Sequence, residues 1–176
     1  MKILNFPKLR QVYDHDCGST AAQSVLAYYG IDIRGDRIMK LAKTSNCGTP
    51  TKGILKVLRK YNLKCISQKM SISQVKRFLD KEIPVILLIQ AWSAKKDVDW
   101  ENDWNDGHYV VAIGYSKNKM YFEDPSPIER TYLTFNKLKK RWHDIESSTG
   151  RAHFNLGIAV YGKKPLYNSS RPIPMG

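Results

Sequence analysis

Cys17, His108 and Asp124 have the residue types and the placing to do chemistry together. Cys17 sits in Gln11-Val12-Tyr13-Asp14-His15-Asp16-Cys17-Gly18, and an apolar stretch with helical spacing follows it. His108 opens the strand-like run Gly107-His108-Tyr109-Val110-Val111-Ala112-Ile113-Gly114-Tyr115, and Asp124 closes the next one, Tyr121-Phe122-Glu123-Asp124-Pro125. A cysteine at a helix start, a histidine on a strand and an acid one hairpin later are the parts of a thiol nucleophile, its base and the group that orients the base. The thiolate is the nucleophilic form, and the unpaired amides and positive partial charge of a helix N-terminus favour it. Gln11 adds a side-chain amide that can reach back to the same pocket. With the Cys17 amide it would hold the oxyanion built during acyl transfer.

Each residue alone has an ordinary reading. A single cysteine is more often a small buried hydrophobe, a histidine on a strand a satisfied core group, and Asp-Pro a turn. In this order and in these local contexts, together they predict a cysteine peptidase.

The elements follow from hydrophobic spacing. Ala22, Val25, Leu26 and Tyr29 recur at helical intervals, and Gly30 is a natural stop. Asp14, Asp16 and Ser19 are candidate caps for this helix, and Gly18 leaves room for a substrate backbone. The pattern predicts helices over 17–29, 34–42, 52–61 and 73–81, with a short one over 135–141. Strands are expected over 64–68, 85–90, 108–115, 119–122 and 156–161. Helices come first and strands mostly later, which predicts an α+β fold with an antiparallel sheet.

Length and composition bound the rest. At 176 residues and 42% hydrophobic, the chain reads as one globular domain over 1–164 with a loose tail over 165–176. No stretch reaches the roughly 18–20 apolar residues of a membrane helix, and residues 1–10 lack the apolar core of a signal peptide. Three cysteines, Cys17, Cys47 and Cys65, show no metal-ligand spacing. Their odd number favours free thiols and a reducing, cytoplasmic setting. Cys65 reads as core packing, and Cys47 as a weak rival nucleophile in a loop. His15 lies too near Cys17 to face it across a cleft, and His143 and His153 lack catalytic context. No metal or cofactor is expected. The net charge of +13 is spread along the chain without a nucleic-acid-binding motif, so it reads as a solvated surface. One stretch reverses it. Asp97, Asp99, Glu101, Asp103 and Asp106 crowd the loop before His108, with Trp92, Trp100 and Trp104 nearby. This loop is expected to border the cleft, either as an acidic, aromatic wall that selects peptides or as a solvated loop pinned by its tryptophans. Its Asp-x-Asp rhythm is a poor calcium loop, lacking the glycine and terminal glutamate. Gly18, Trp104 and Gly107 are the candidate substrate-binding residues.

The stretch from Gln11 to Gly30 resembles the active-site segment of the bacteriocin-processing cysteine peptidases, a papain-like bacterial family that cleaves double-glycine leaders. The motifs are Gln11, Asp16-Cys17-Gly18 and Tyr29-Gly30. Gly48-Thr49-Pro50-Thr51-Lys52-Gly53 resembles the family's second helix start, and Ile83-Pro84-Val85-Ile86-Leu87-Leu88 its central strand. Gly107-His108-Tyr109-Val110-Val111 and Asp124-Pro125-Ser126 resemble its histidine and aspartate segments. The likeness runs from Gln11 to Tyr161. It implies a helical half carrying the nucleophile packed on a sheet half carrying the base. By that resemblance Cys17 is nucleophile, His108 base, Asp124 orienter and Gln11 oxyanion donor. The substrate is then a peptide or protein, cut after small residues such as Gly-Gly. Exporter-borne members continue into membrane spans and a nucleotide-binding domain. This sequence shows no such span and no Gly-x-x-x-x-Gly-Lys-Ser/Thr loop, so it resembles the free-standing members. Two other classes stay open: a transglutaminase or amidase on the same triad, and a module that binds leader peptides without turnover.

Overall fold

Five helices and nine strands form the fold in the computed structural model, which describes residues 1–170, 174 and 175. The chain runs β1 (Lys2–Ile3), α1 (Cys17–Tyr28), α2 (Gly35–Ala42), α3 (Thr51–Lys60), β2 (Lys64–Lys69) and α4 (Ile72–Asp80). It continues through β3 (Val85–Gln90), β4 (Gly107–Tyr115), β5 (Lys119–Glu123), β6 (Thr131–Thr134) and α5 (Phe135–Arg141). The last strands are β7 (His143–Glu146), β8 (Arg151–Phe154) and β9 (Leu156–Tyr161).

Six strands line up as β2-β9-β3-β4-β5-β6, and β1 adds to β4; β7 and β8 form a separate hairpin. Every pairing is antiparallel. The fold is therefore α+β with an antiparallel sheet. β3 is buried along its whole length because it runs between β9 and β4 beneath helices, so it reads as a continuous apolar run. Burying each such Val, Leu or Ile contributes about 1.5–3 kcal/mol. α1 packs on β4 and on α2 and α3, which makes the helical half, while α4 and α5 lie against the sheet. α1 turns Ala21, Ala22, Val25 and Leu26 fully inward. Among the described residues, no helix is long and apolar enough to cross a membrane.

The expected elements are all present, with ends shifted by a residue or so. The spacing missed four strands: β1, β6, β7 and β8. Each is two to four residues long, too short for alternation to show. The tail expected to be loose is held at its start. The amides of Leu166 and Tyr167 both donate to the Tyr28 carbonyl at 3.1 Å, and Leu166 packs against Gly30. Residues 171–173 and 176 of that expected tail lie outside the described residues.

Candidate active site

Cys17 is the first residue of α1 and is 8% exposed. Asp16 occupies the N-cap position, yet its carboxylate does not cap the helix. It turns back and accepts the amides of Val12 and Tyr13, each at 3.1 Å, which braces the Gln11 loop. The Ser19 hydroxyl donates to the Asp16 carbonyl at 2.9 Å, and the Ser19 amide donates to Thr49 Oγ1 at 3.2 Å.

β4 and β5 bring base and acid together. Their antiparallel register pairs Val111 with Glu123, so the start of β4 and the end of β5 share one end of the sheet. There His108 Nε2 and Asp124 Oδ1 are 2.7 Å apart. Cys17 lies close enough to the imidazole to act on its titration. Three distant segments thus bring sulfur, imidazole and carboxylate into one cluster. Burial disfavours the imidazolium, but the hydrogen bonds with Asp124 and Cys17 outweigh it and lift His108 from 6.5 to about 9. Burial likewise works against the Asp124 carboxylate, yet His108, the Ser126 amide and the Trp92 indole hold it below the usual range.

Asp124 has four donors. Oδ1 also accepts the Ser126 amide at 3.0 Å, and Oδ2 accepts Trp92 Nε1–H at 3.1 Å and the Thr131 hydroxyl at 3.2 Å. Sequence reading placed Trp92 only with the loop before His108 and Ser126 only in the Asp124 segment, without their bonds to Asp124, and missed Thr131. Only Ser126 left a signal, since Asp followed two residues on by a free amide is an Asx turn.

Gln11 lies in the loop braced by Asp16, with its amide donating to the Pro125 carbonyl at 2.9 Å. Its side chain turns into that loop: Nε2 donates to the Tyr13 carbonyl at 2.8 Å, and Oε1 is buried without a partner. One N–H of the Gln11 side chain is thereby engaged within its own loop, and the other has no partner there.

A cavity of about 130 Å³ opens beside Cys17. Thr49, Trp104, Gly107, Asp144 and Glu146 contribute to its walls. Burial pushes the Asp144 carboxyl up to about 6, against the pull of the Gln90 amide, which donates to it at 2.8 Å. Glu146 also suffers burial but is held below its ordinary value by the Thr51 amide at 2.9 Å and by the Thr51 and Thr149 hydroxyls. Trp104 packs on His143 with ring centroids 4.4 Å apart, and His143 Nε2–H donates to the Asp103 carbonyl at 2.8 Å. Cys47 is exposed on the rim of this cavity, while burial pushes the Cys65 thiol up to about 11.

Two glycines behave differently from each other. Gly18, expected to leave room for a substrate backbone, is buried, and a Cβ there would lie 2.8 Å from Thr49 Cβ and 2.9 Å from Tyr109 Cδ2. Its missing side chain lets α1 start against those residues and opens no space in the cleft. Gly107 does face the cavity, and the Asp144 carboxylate lies over it where a Cβ would be. Gly107→Ala is therefore expected to displace Asp144 or the first residues of β4. Overpacking of this kind costs about 1–3 kcal/mol. Chemical denaturation at pH 7 checks it, the expected result being a lower midpoint with an unchanged slope.

The acidic loop is pinned. Asp99 accepts the Asn102 side-chain amide at 2.8 Å, and Asp103 pairs with Lys95 at 3.0 Å. Glu101 pairs with Lys140 of α5 at 3.3 Å, and the Arg141 guanidinium sits 3.7 Å over the Trp100 ring. Most of its acids thus hold the loop to itself and to α5, which favours the reading as a pinned loop over that of a peptide-selecting wall.

The arrangement has known parallels. The pediocin PA-1 transport/processing ATP-binding protein PedD of Pediococcus acidilactici is 25% identical over 136 residues, which is 77% of this chain and 17% of that protein. The chain thus spans less than a fifth of that curated relative. The peptidase domain of Streptococcus ComA, a bi-functional ABC transporter involved in a quorum sensing pathway, superposes with a TM-score of 0.65 at 22% identity, covering 88% of this chain and 97% of that one. A double glycine motif protease from an AMS/PCAT transporter, solved with its leader peptide, gives 0.66 at 19% identity, covering 94% and 95%. A protein of Bacillus anthracis described as C39-like gives 0.70 at 19% identity, covering 94% and 98%. These structures share the fold. Residues 5–146, from ahead of the Gln11 loop to the end of β7, match the Peptidase C39 family, and the chain belongs to that family of cysteine peptidases.

Proposed function

We propose that this protein is a cysteine endopeptidase that hydrolyses peptide bonds with Cys17 as nucleophile, His108 as base and Asp124 as the group that orients His108. The observation that carries the reading is the His108 imidazole on the Asp124 carboxylate at 2.7 Å, with Cys17 acting on the same imidazole and lining a cavity. The Cys17 thiolate attacks the carbonyl carbon. The oxyanion is met by the Cys17 amide, at the end of a helix that no side chain caps, and by the remaining N–H of Gln11. The His108 imidazolium protonates the leaving amine, and the imidazole then takes a proton from the water that releases the acyl group. Asp124 keeps its proton-accepting oxygen on Nε2 and so presents Nδ1 to the sulfur.

The substrate reading is a peptide cut after small residues, a Gly-Gly pair above all. The cavity beside Cys17 is small, about 130 Å³. The similar double glycine motif protease was solved with a leader peptide. The test is digestion of peptides carrying Gly-Gly beside others carrying Leu-Leu at the same place. Cleavage on the carboxyl side of Gly-Gly that depends on Cys17 is expected. An added amine acceptor should leave the hydrolysis product unchanged; an amide adduct as main product would instead make the protein a transferase.

A further inference from the structure

Trp92 stands in a conformation that a tryptophan rarely takes. Its φ is +62°, in the left-handed region that favours glycine, and the residue is 56% exposed. Such a backbone costs on the order of 1–3 kcal/mol and persists only where its surroundings enforce it. Core burial does not account for it, because the residue is half exposed. The chain reaches Trp92 from β3, whose ladder with β4 extends one step through the Ala91 amide and the Asp106 carbonyl at 2.9 Å. At Trp92 the chain leaves the ladder. The left-handed turn delivers the indole to the end of β5, where Nε1–H meets Asp124 Oδ2 at 3.1 Å. Asp124 is 4% exposed, so this is a hydrogen bond to a buried carboxylate, the stronger kind.

A carboxylate offers about four acceptor sites, and all four are filled here. His108 and Ser126 share Oδ1, and Trp92 and Thr131 share Oδ2. The two donors on Oδ2 decide how the carboxylate can turn. With both in place, rotation about the Cβ–Cγ bond would break these two hydrogen bonds along with the two on Oδ1. With one missing, Oδ1 is freer to leave the imidazole.

We propose that Trp92 is a positioning residue for the His108–Asp124 pair, its indole N–H anchoring the outer carboxylate oxygen so that the inner one stays on His108. The proposal rests on the reading of this cluster as a peptidase triad. Thr131 is the second anchor and acts on the same oxygen.

Two measurements test it. The first is an NMR titration of the His108 imidazole in wild type, Trp92→Phe and Thr131→Val. Phenylalanine keeps a ring and deletes the donor. A fall of about one pKa unit in Trp92→Phe, a tenfold loss of support for the imidazolium, is expected. The second is peptide hydrolysis. A loss of about ten- to a hundredfold in kcat, with KM little changed, follows if the imidazole loses its orientation. Trp92→Gly relieves the backbone strain while removing the same donor, so it separates the strain from the hydrogen bond and should still turn over slowly. A variant pair with wild-type kcat and an unmoved His108 titration overturns the proposal, as does a loss that tracks only the unfolded fraction. If wild type cuts no peptide, the hydrolytic reading fails, and the His108 titration alone still decides the role of Trp92.

Discussion

Cys17→Ala is expected to lose peptide hydrolysis by a factor on the order of a million while keeping the fold. Removing the nucleophile from an integrated triad costs about as much as removing the whole set, because its other members have nothing left to activate. The fold should tolerate the change. The side chain sits at the cavity wall at the start of α1, and the apolar face of that helix is carried by Ala21, Ala22, Val25 and Leu26. Thermal unfolding should therefore move by a few degrees at most. The variant has a second signature. Part of the upward shift of His108 comes from Cys17, so the imidazole should titrate at lower pH once the sulfur is gone. Cys47→Ala is the control, because Cys47 lines the same cavity from its rim. Rapid turnover by Cys17→Ala, or loss of turnover in Cys47→Ala, would reassign the nucleophile.

Asp124→Asn is the second large effect, at about a hundred- to ten-thousandfold in kcat/KM. An amide at this place meets a conflict that a carboxylate does not. If its oxygen keeps the His108 and Ser126 donors, its NH2 group faces the Trp92 indole N–H, donor against donor. Turned the other way, it points a donor at His108 and favours the wrong tautomer. The loss should be smaller than that of Cys17→Ala, since the nucleophile remains. The pH dependence follows from the directions of the shifts. His108 is raised from 6.5 to about 9, so its contribution to stability is complete below about 6.5 and is lost as pH rises through about 9. Asp124 is lowered from 3.8, so its contribution is present above that value and is lost as pH falls below it. Both are in force near neutrality. In Asp124→Asn the alkaline limb of activity should move to lower pH, toward the ordinary histidine value. An unmoved limb would show that Asp124 does not support the imidazolium.

The elements that carry the chemistry were legible because each has a local cause. The helix over Cys17–Tyr28 shows in the spacing of Ala22, Val25 and Leu26, and the strand over Val85–Gln90 in its unbroken apolar run. The His108 and Asp124 segments share a hairpin, two strands joined by a short turn. What escaped reading came from contacts between segments far apart in the chain. Asp16 looked like a helix cap and instead braces the Gln11 loop. The β7–β8 hairpin, four residues a side, supplies Asp144 and Glu146 to the cavity wall, and nothing near Cys17 in sequence announces it.

Residue order and hydrophobic period were enough to propose the reacting groups, because a cysteine at a helix start and a histidine on a strand are local arrangements. Packing between remote segments settled the rest: which donors surround the Asp124 carboxylate, which way Gln11 turns, and that Gly18 is filled by Thr49 and Tyr109. Hydrogen bonds and close contacts across the fold depend on distances that a linear pattern does not encode.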